Sequence, residues 1–292
     1  MSTAAPSVIH PSVRARIVRG LRRFSAIRGW RRLASGLAGN TEDGAFRVAN
    51  DGVWLEGELG SYIERQFYLF GGYERDEIGL FLNQIPVGRC GTILDIGANI
   101  GTHSLHFSKA FERVLSFEPN PLVIDRLRRN VALSGAANVA IHQVGLSDSK
   151  GELELFAPAS DNQGLGTFVT AEQYDRPLET IGKAPIAIGD EYVAVHAPGR
   201  IDAIKCDVQG FELQVFRGLK ETVARDRPIL WIEIGSGAHT VAEEIAALLP
   251  LLPRPARYYR FSAAHGGPFT RAILAETAED ALVAGDYVIV PA

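Results

Sequence analysis

The run TILDIGANIG, from Thr92 to Gly101, has the residue types and spacing best suited to chemistry. An apolar, β-prone segment leads to Asp95, and Gly97 and Gly101 follow before a helix-like segment. Glycine lacks a Cβ and tolerates positive φ, so the backbone of such a turn can approach a ligand closely. A helix start adds unpaired N–H groups and a positive dipole end. The run predicts a nucleotide-type cofactor site, with a purely structural turn as the alternative.

The spacing distinguishes between cofactors. A dinucleotide site uses G-x-G-x-x-G to bring the backbone to a pyrophosphate, whereas here an acid precedes G-x-x-x-G. Asp95, at a strand end, is placed to hold a cationic amine. S-adenosylmethionine has an amine and a sulfonium and no phosphate, so it is favoured over NAD.

Three more acids follow predicted strands. Glu118 comes about 20 residues after the turn, where an acid can accept both hydroxyls of a ribose. Asp207 ends the fourth core strand, and Glu233 lies in the apolar run 229–234, where an unpaired acid is costly to bury. The alternatives are a surface acid for Glu118 and a structural salt bridge to Lys205 for Glu233.

Two other sets of polar residues are candidates for the same site. Ser147 or Asp148, after the third strand, is predicted to accept from the exocyclic amine of adenine, unless this is a plain turn with an Asp cap. His103 and His239 are weaker candidates for a base, because a lone histidine is more often structural.

The elements that position these residues alternate between strand and helix. Such alternation predicts a mainly parallel sheet with helices on both faces, and ligands then bind at the carboxyl ends of the strands. The predicted core strands are Thr92–Ile96, Arg113–Phe117, Val139–Val144, Ile201–Cys206, Pro228–Ile234, Arg257–Phe261 and Tyr287–Val290. Before them, Phe46–Leu59 predicts a hairpin around Asp51-Gly52, and residues 157–200 predict a long loop with short elements.

Three regions follow from this organisation: a basic amphipathic helical extension at 1–41, a hairpin and helix at 42–91, and the core domain at 92–292. Residues 1–41 hold eight arginines and no acid, although the whole chain has a net charge of −4. The acidic remainder argues against nucleic acid as a partner. Residues 11–38 are expected to contact a membrane surface, a sister subunit or their own domain.

The amino-acid composition further narrows the class of protein and its expected location. A chain of 292 residues with 46% hydrophobic content can bury a large core. Cys90 and Cys206 form no metal or disulfide pattern, and no apolar run is long enough to span a bilayer, so we expect a cytoplasmic protein, with peripheral contact at the inner membrane surface as an option.

Several blocks together resemble the FkbM family of S-adenosylmethionine-dependent methyltransferases. They appear in the family's order over about residues 73–292, with a poor match at 157–195. The blocks are TILDIGANIGTHSL, LSFEPNP, VGLSD, IDAIKCDVQGFELQVFRG, ILWIEI and DYVIVPA.

The resemblance implies a seven-stranded class I methyltransferase fold of order 3-2-1-4-5-7-6 with an antiparallel last strand. It also implies O-methylation of sugars, polyketides or other secondary metabolites. Gln209 departs from the family, which usually has Glu there. The residues carried over are Asp95, Gly97, Asn99 and Gly101 for the methionine-side loop, Glu118 for the ribose, Leu146 and Ser147 near the adenine, and Asp207, Glu212 and Glu233 as family acids.

We therefore expect an enzyme that uses S-adenosylmethionine to methylate a hydroxyl of a small molecule or glycan, with Asp207, Glu233 or His103 as the base. Too few acids are securely grouped to predict a metal. The other classes are an NAD-type oxidoreductase and a noncatalytic binding protein on the same fold. The acceptor itself is not readable from the sequence.

Overall fold

The computed structural model describes residues 13–21, 24, 27, 29–38, 44–158, 166–170, 177–235, 240–266 and 269–292. The chain divides into two compact units. The smaller unit comprises Met1–Arg75 and Ala263–Arg271, and the larger unit comprises Asp76–Ser262 and Ala272–Ala292.

The smaller unit contains three helices and a hairpin. The helices are α1 (Val13–Gly20), α2 (Trp30–Ala38) and α3 (Tyr62–Phe70), and the strands are β1 (Ala45–Asn50) and β2 (Val53–Glu58). The two strands pair antiparallel, with Asn50 opposite Val53. Asp51 and Gly52 both have positive φ, as a tight hairpin turn requires. The hairpin expected from the Asp-Gly signal is confirmed.

Among the described residues, the main sheet has eight strands. They are β3 (Thr92–Ile96), β4 (Arg113–Phe117), β5 (Val139–His142), β9 (Ala203–Cys206), β10 (Ile229–Ile234), β11 (Ala256–Gly266), β12 (Phe269–Thr277) and β13 (Gly285–Pro291). Their order is β12-β11-β13-β10-β9-β3-β4-β5. The five neighbouring strands β5, β4, β3, β9 and β10 are parallel. Strand β13 runs antiparallel to both β10 and β11.

The sheet corrects the expected strand count. Seven strands follow the expected order, but β12 adds an eighth at the edge beside β11. The residues of β12 do not alternate strictly between apolar and polar, because an edge strand gains its hydrogen bonds from one neighbour and needs no regular buried face. The fold is an α/β fold whose main sheet has eight strands rather than seven.

Helices line the sheet and bury both of its faces. They are α4 (Arg75–Leu82), α5 (Thr102–Phe107), α6 (Ile124–Ser134), α7 (Gly189–His196), α8 (Glu212–Gly218), α9 (Lys220–Asp226) and α10 (Val241–Leu248). Along β3, Leu94 and Ile96 belong to one core cluster and Ile93 to the other. Successive strand residues point to opposite faces, so a strand buried on both sides is apolar at nearly every position. Asp95 is therefore an exception within β3.

A second sheet forms beside the core. It contains β6 (Gly145–Ser147), β7 (Gly151–Pro158) and β8 (Leu178–Ile188), in the order β6-β8-β7. Residues 157–200, weakly patterned in the sequence, thus include an eleven-residue strand and helix α7. Gly182 and Pro185 interrupt the propensity signal of β8, and pairing with β7 supplies the stability that the sequence does not indicate.

Among the described residues, no helix combines the length and apolarity needed to cross a bilayer. Cys90 and Cys206 are both free thiols.

Candidate active site

The turn between β3 and α5 is fixed by close backbone contact. Gly97 has φ 78°, and a Cβ there would lie 1.9 Å from the carbonyl oxygen of Asp207. Gly101 has φ 91°, and its Cβ would lie 2.6 Å from Leu127. Asn99 adopts φ 50°, which asparagine tolerates better than most residues. The loop after β3 therefore lies directly against the loop after β9, and glycine is required at this contact.

Asp95 is fully buried beneath the turn. Its Oδ2 accepts a hydrogen bond of 2.5 Å from Ser104, whose hydroxyl lies 2.7 Å from that of Ser116. Lys205 faces Asp95 in the ladder, and its Nζ lies 3.8 Å from Asp95 Oδ1. No hydrogen-bond donor among the described residues satisfies that Oδ1. The acid expected to hold a cation thus already has an ammonium group nearby and retains an unsatisfied oxygen.

Glu118 follows β4 and joins two loops through its carboxylate. One oxygen accepts from the N–H of Asn99 at 2.7 Å, and the other accepts from the N–H of Asn120 at 2.8 Å. Burial raises the pKa of Glu118 to about 7, although both N–H groups favour the charged form. The predicted ribose acid therefore contacts the glycine turn directly and titrates near neutrality.

The segment after β5 carries the residues that were predicted to lie near the adenine. Leu146 and Ser147 are buried, whereas Asp148 is exposed. A Cβ at Gly218 would lie 1.9 Å from the carbonyl oxygen of Ser147. Helix α8 therefore packs directly against the backbone of this segment.

Lys205 connects the glycine turn with the loop after β9. It is almost fully buried, donates to the carbonyl oxygen of Gly97 at 3.1 Å and lies 3.5 Å from Asp207 Oδ2. From the sequence, Lys205 was expected only as a salt-bridge partner of Glu233. The signal for this role was the position of Lys205 inside an apolar strand, two residues before Asp207. A buried ammonium group requires anions around it.

Asp207 and Glu233 lie side by side at the ends of β9 and β10. Gln209 Nε2 donates to Asp207 Oδ1 at 2.8 Å and to Glu233 Oε2 at 3.1 Å. Desolvation raises the pKa of Asp207, but the Lys205 ammonium and the Gln209 hydrogen bond outweigh it and hold that pKa below its ordinary value. Burial, followed by the charge of Asp207, raises the pKa of Glu233 to about 9. At neutral pH, Asp207 is ionised and Glu233 is protonated.

Glu212 shapes the turn that carries Gln209. Its two oxygens accept from the N–H groups of Val208 and Gly210, each at 2.9 Å. Gln209 has φ 56°, and Thr167 donates to its carbonyl oxygen at 2.8 Å. Burial raises the pKa of Glu212 to about 8. Thr167 was not predicted as a site residue, because it lies in a weakly patterned segment.

Asp207, Glu212 and Glu233 each offer an oxygen within 4.8 Å of the others, a spacing that could hold a cation. The amide N–H groups of Gln209, however, point at two of these carboxylates. A hydrogen-bond donor at that place competes with a cation for the same lone pairs, and we assign no ion to the group.

His103 is buried in an aromatic environment near these acids. Its ring lies 5.1 Å from that of Trp231 and 6.0 Å from that of Phe107, between centroids. His103 is also one of the charges that lower the pKa of Asp207. His239 lies outside the described residues.

The arrangement places a close-packed glycine turn and the acids Glu118 and Asp207 at the carboxyl ends of the parallel strands. Such an edge is where α/β sheets bind ligands. Its chemical capacity is to bind a nucleotide-like cofactor beside a group that can accept a proton.

Known proteins share this part of the chain. The hexuronic acid methyltransferase AglP of Haloferax volcanii is 30% identical over 164 residues, covering 56% of this chain and 63% of the relative. The methyltransferase sdnD of Sordaria araneosa is 34% identical over 158 residues, covering 44% and 60%. The chain therefore spans about three-fifths of the length of these two curated relatives.

A third relative and a solved structure extend the comparison. The 2-O-methyltransferase NoeI of Sinorhizobium fredii is 26% identical over 174 residues, covering 55% of this chain and 70% of the relative. The crystal structure of an FkbM methyltransferase from Methylobacillus flagellatus aligns with a TM-score of 0.44 at 16% identity, covering 77% of this chain and 52% of that one.

The model of the methyltransferase FkbM domain matches residues 95–261, from the acid of the glycine turn to the middle of β11. That range is more than half of the chain and includes Glu118, Asp207 and Glu233. The chain belongs to the FkbM methyltransferase family.

Proposed function

We propose that the protein transfers a methyl group from S-adenosylmethionine to a hydroxyl of a sugar or another small metabolite. The observation that carries the proposal is the position of Asp207, whose carboxylate lies 3.5 Å from Lys205 Nζ and whose backbone carbonyl lies against the glycine turn at Gly97. The names of two relatives, a hexuronic acid methyltransferase and a 2-O-methyltransferase, support a hydroxyl acceptor on a sugar.

The residues present fit S-adenosylmethionine. Asp95 Oδ1 is a buried anionic oxygen without a hydrogen-bond donor among the described residues, which suits a cationic ligand nearby. Glu118 retains lone pairs beyond the two that accept backbone N–H groups, and these can accept ribose hydroxyls. Leu146 and Ser147 would form the adenine side, with Asp148 at its exposed rim.

In this mechanism the cofactor supplies an activated methyl group, and the chain supplies placement and a proton acceptor. Asp207 accepts the proton of the acceptor hydroxyl, since it is the carboxylate that remains ionised at neutral pH. Glu233 stays protonated beside it, and Gln209 fixes both side chains through its amide. His103 holds a positioning role near Asp207.

The pair Asp207→Asn and Glu233→Gln tests this division of roles. Asp207→Asn removes the proton acceptor, and we expect turnover to fall by about 10²–10⁴-fold. Glu233→Gln replaces a protonated acid with a neutral group of the same shape, so we expect most of the turnover at neutral pH to remain. Methyl transfer from labelled S-adenosylmethionine to a panel of uronic acids and other sugars measures both.

Cofactor affinity is the control for both variants. Calorimetry with S-adenosylmethionine should give similar affinities for wild type, Asp207→Asn and Glu233→Gln, and NAD should not bind. Turnover should be equal with and without a chelator. Equal loss of turnover in both variants would assign the base to the pair rather than to Asp207, and binding of NAD alone would reject the methyltransferase proposal.

A further inference from the structure

The first helix of the smaller unit, α1, exposes two of its apolar side chains to solvent. Ala15 and Val18 of α1 are buried, whereas Val13 is 61% exposed and Ile17 is 59% exposed. One turn apart, Val13 and Ile17 form a single apolar stripe along the exposed side of the helix. A surface helix usually turns such a stripe inward.

The second helix repeats the pattern. Ala34 and Ala38 of α2 are buried, whereas Leu33 is 57% exposed and Leu37 is 52% exposed. Both helices therefore pack within the smaller unit through alanines, joined by Val18 in α1, and present Val13, Ile17, Leu33 and Leu37 to solvent.

Other exposed apolar residues are concentrated in the same unit. Ile27 forms an isolated β-bridge with Phe269, and both side chains are exposed, as is Phe24. Of the thirteen large apolar side chains exposed among the described residues, nine belong to the smaller unit. Scattered exposed apolar residues need no explanation, but a concentration of them marks an interaction surface.

The charges around these stripes are of one sign. Arg14 and Arg16 are exposed, and helical geometry places them on either side of the Val13–Ile17 stripe. Arg32 is exposed on α2. Arg19, by contrast, turns inward and donates to the carbonyl oxygen of Tyr68 at 2.7 Å. Because residues 1–41 contain no acid, nothing within that segment neutralises the eight arginines.

We propose that α1 and α2 dock on an anionic lipid surface, with Val13, Ile17, Leu33 and Leu37 entering the interface and the arginines facing the head groups. Apolar residues flanked by arginines are the pattern of helices that lie in a membrane interface. A second copy of the chain is a poorer occupant. A symmetric contact through this surface would set Arg14, Arg16 and Arg32 of one copy against the same three arginines of the other, and like charges across an interface are unfavourable.

Vesicle co-flotation of the full chain tests the proposal independently of methyl transfer. We expect binding to vesicles of phosphatidylcholine and phosphatidylglycerol in equal amounts, and none to phosphatidylcholine alone. Raising the salt concentration should release the protein, since exposed charges are screened within a Debye length of about 10 Å at 0.1 M salt.

Two sets of substitutions separate the apolar and the charged contributions. The variant Ile17→Ser, Leu33→Ser, Leu37→Ser removes the apolar stripes, and its control is Val87→Ser with Val195→Ser, two exposed apolar residues of the larger unit. The variant Arg14→Gln, Arg16→Gln, Arg32→Gln removes exposed charge, and its control is Arg129→Gln, Arg217→Gln, Lys220→Gln, three exposed cations of the larger unit. Each test variant should bind anionic vesicles at least about tenfold more weakly, and each control should bind as wild type.

Circular dichroism keeps the comparison interpretable by showing that each variant is folded. The proposal is overturned if the wild type does not bind anionic vesicles, or if the serine triple variant binds them unchanged. It is also overturned if sedimentation velocity shows a dimer that the serine variant dissociates while no vesicle binding is seen, because the occupant is then a second copy of the chain.

Discussion

Glu118 joins the glycine turn to the loop after β4, and its titration near neutrality has a measurable consequence. Ribose hydroxyls donate more strongly to a charged carboxylate than to a protonated one. Since burial raises the pKa of free Glu118 to about 7, S-adenosylmethionine affinity should fall as pH drops below that value, by up to about tenfold per pH unit. Calorimetric titrations at a series of pH values measure this dependence.

The variant Glu118→Gln removes the titrating group and also sets its NH₂ against one of the two backbone N–H groups that the carboxylate accepts. It should weaken binding by roughly tenfold to a hundredfold, the cost of losing charge-assisted hydrogen bonds, and its remaining affinity should not vary with pH in this range. An affinity of the wild type that is flat across neutrality would show that Glu118 does not contact the ribose.

At the residue scale, the sequence identified the acids and glycines that lie at strand ends, because strand-end position can be read from hydrophobic patterning. Asp95, Gly97, Glu118 and Asp207 are grouped by the structure as that reasoning expected. The contacts of Lys205 could not be predicted, because they depend on its register opposite Asp95 in a neighbouring strand.

The bridge that Gln209 forms between Asp207 and Glu233 could not be predicted from the sequence either. Its position outside the family pattern was visible, but its contacts with Asp207 and Glu233 follow from a left-handed backbone that Glu212 and Thr167 support. The bridge depends on three separate parts of the chain, namely residues 207–212, Thr167 and Glu233.

At the scale of elements, the contact between the loops after β3 and β9 predicts a severe effect of Gly97→Ala. The added Cβ would lie 1.9 Å from the Asp207 carbonyl oxygen, so one loop must move. We expect both S-adenosylmethionine binding and turnover to fall by more than about tenfold, since misplacement by about 1 Å can cost 10²-fold. Calorimetry and activity assays measure the two losses.

Gly88→Ala is the matched control. Gly88 has φ 88°, close to that of Gly97, but nothing lies within 4 Å of its Cβ position. Both variants carry a left-handed backbone cost of about 1–2 kcal/mol, whereas only Gly97→Ala should lose cofactor affinity. Normal binding by Gly97→Ala would contradict the close contact.

Strands could be predicted where a short run of the sequence carries the whole apolar pattern. Strands β3 and β4 match their predicted bounds, because apolar runs ended by an acid or a turn define them. Strands β8 and β12 were not predicted, because each is stabilised mainly by pairing with a strand beside it.

For the whole molecule, three buried acids determine how stability changes with pH. The pKa values of Glu118, Glu212 and Glu233 are raised to about 7, about 8 and about 9. Between the ordinary value of 4.5 and these values, the folded state holds protons that the unfolded state has released. His142, whose pKa burial lowers to about 4, opposes this effect below about pH 6.5, so the free energy of unfolding should decrease as pH rises from about 6.5 to about 9.

Thermal unfolding followed by circular dichroism across this range tests the sign. The melting temperature of the wild type should fall with rising pH, and Glu233→Gln should fall less steeply, because its side chain no longer releases a proton. A wild-type melting temperature that rises across the same range would show that these acids are ionised in the folded protein.

Gly218 couples the position of α8 to the position of the segment after β5. The carbonyl oxygen of Ser147 occupies the space that any other side chain at position 218 would need. A substitution at position 218 would therefore displace the segment proposed to flank the adenine. We therefore expect an alignment of related chains to hold glycine at position 218.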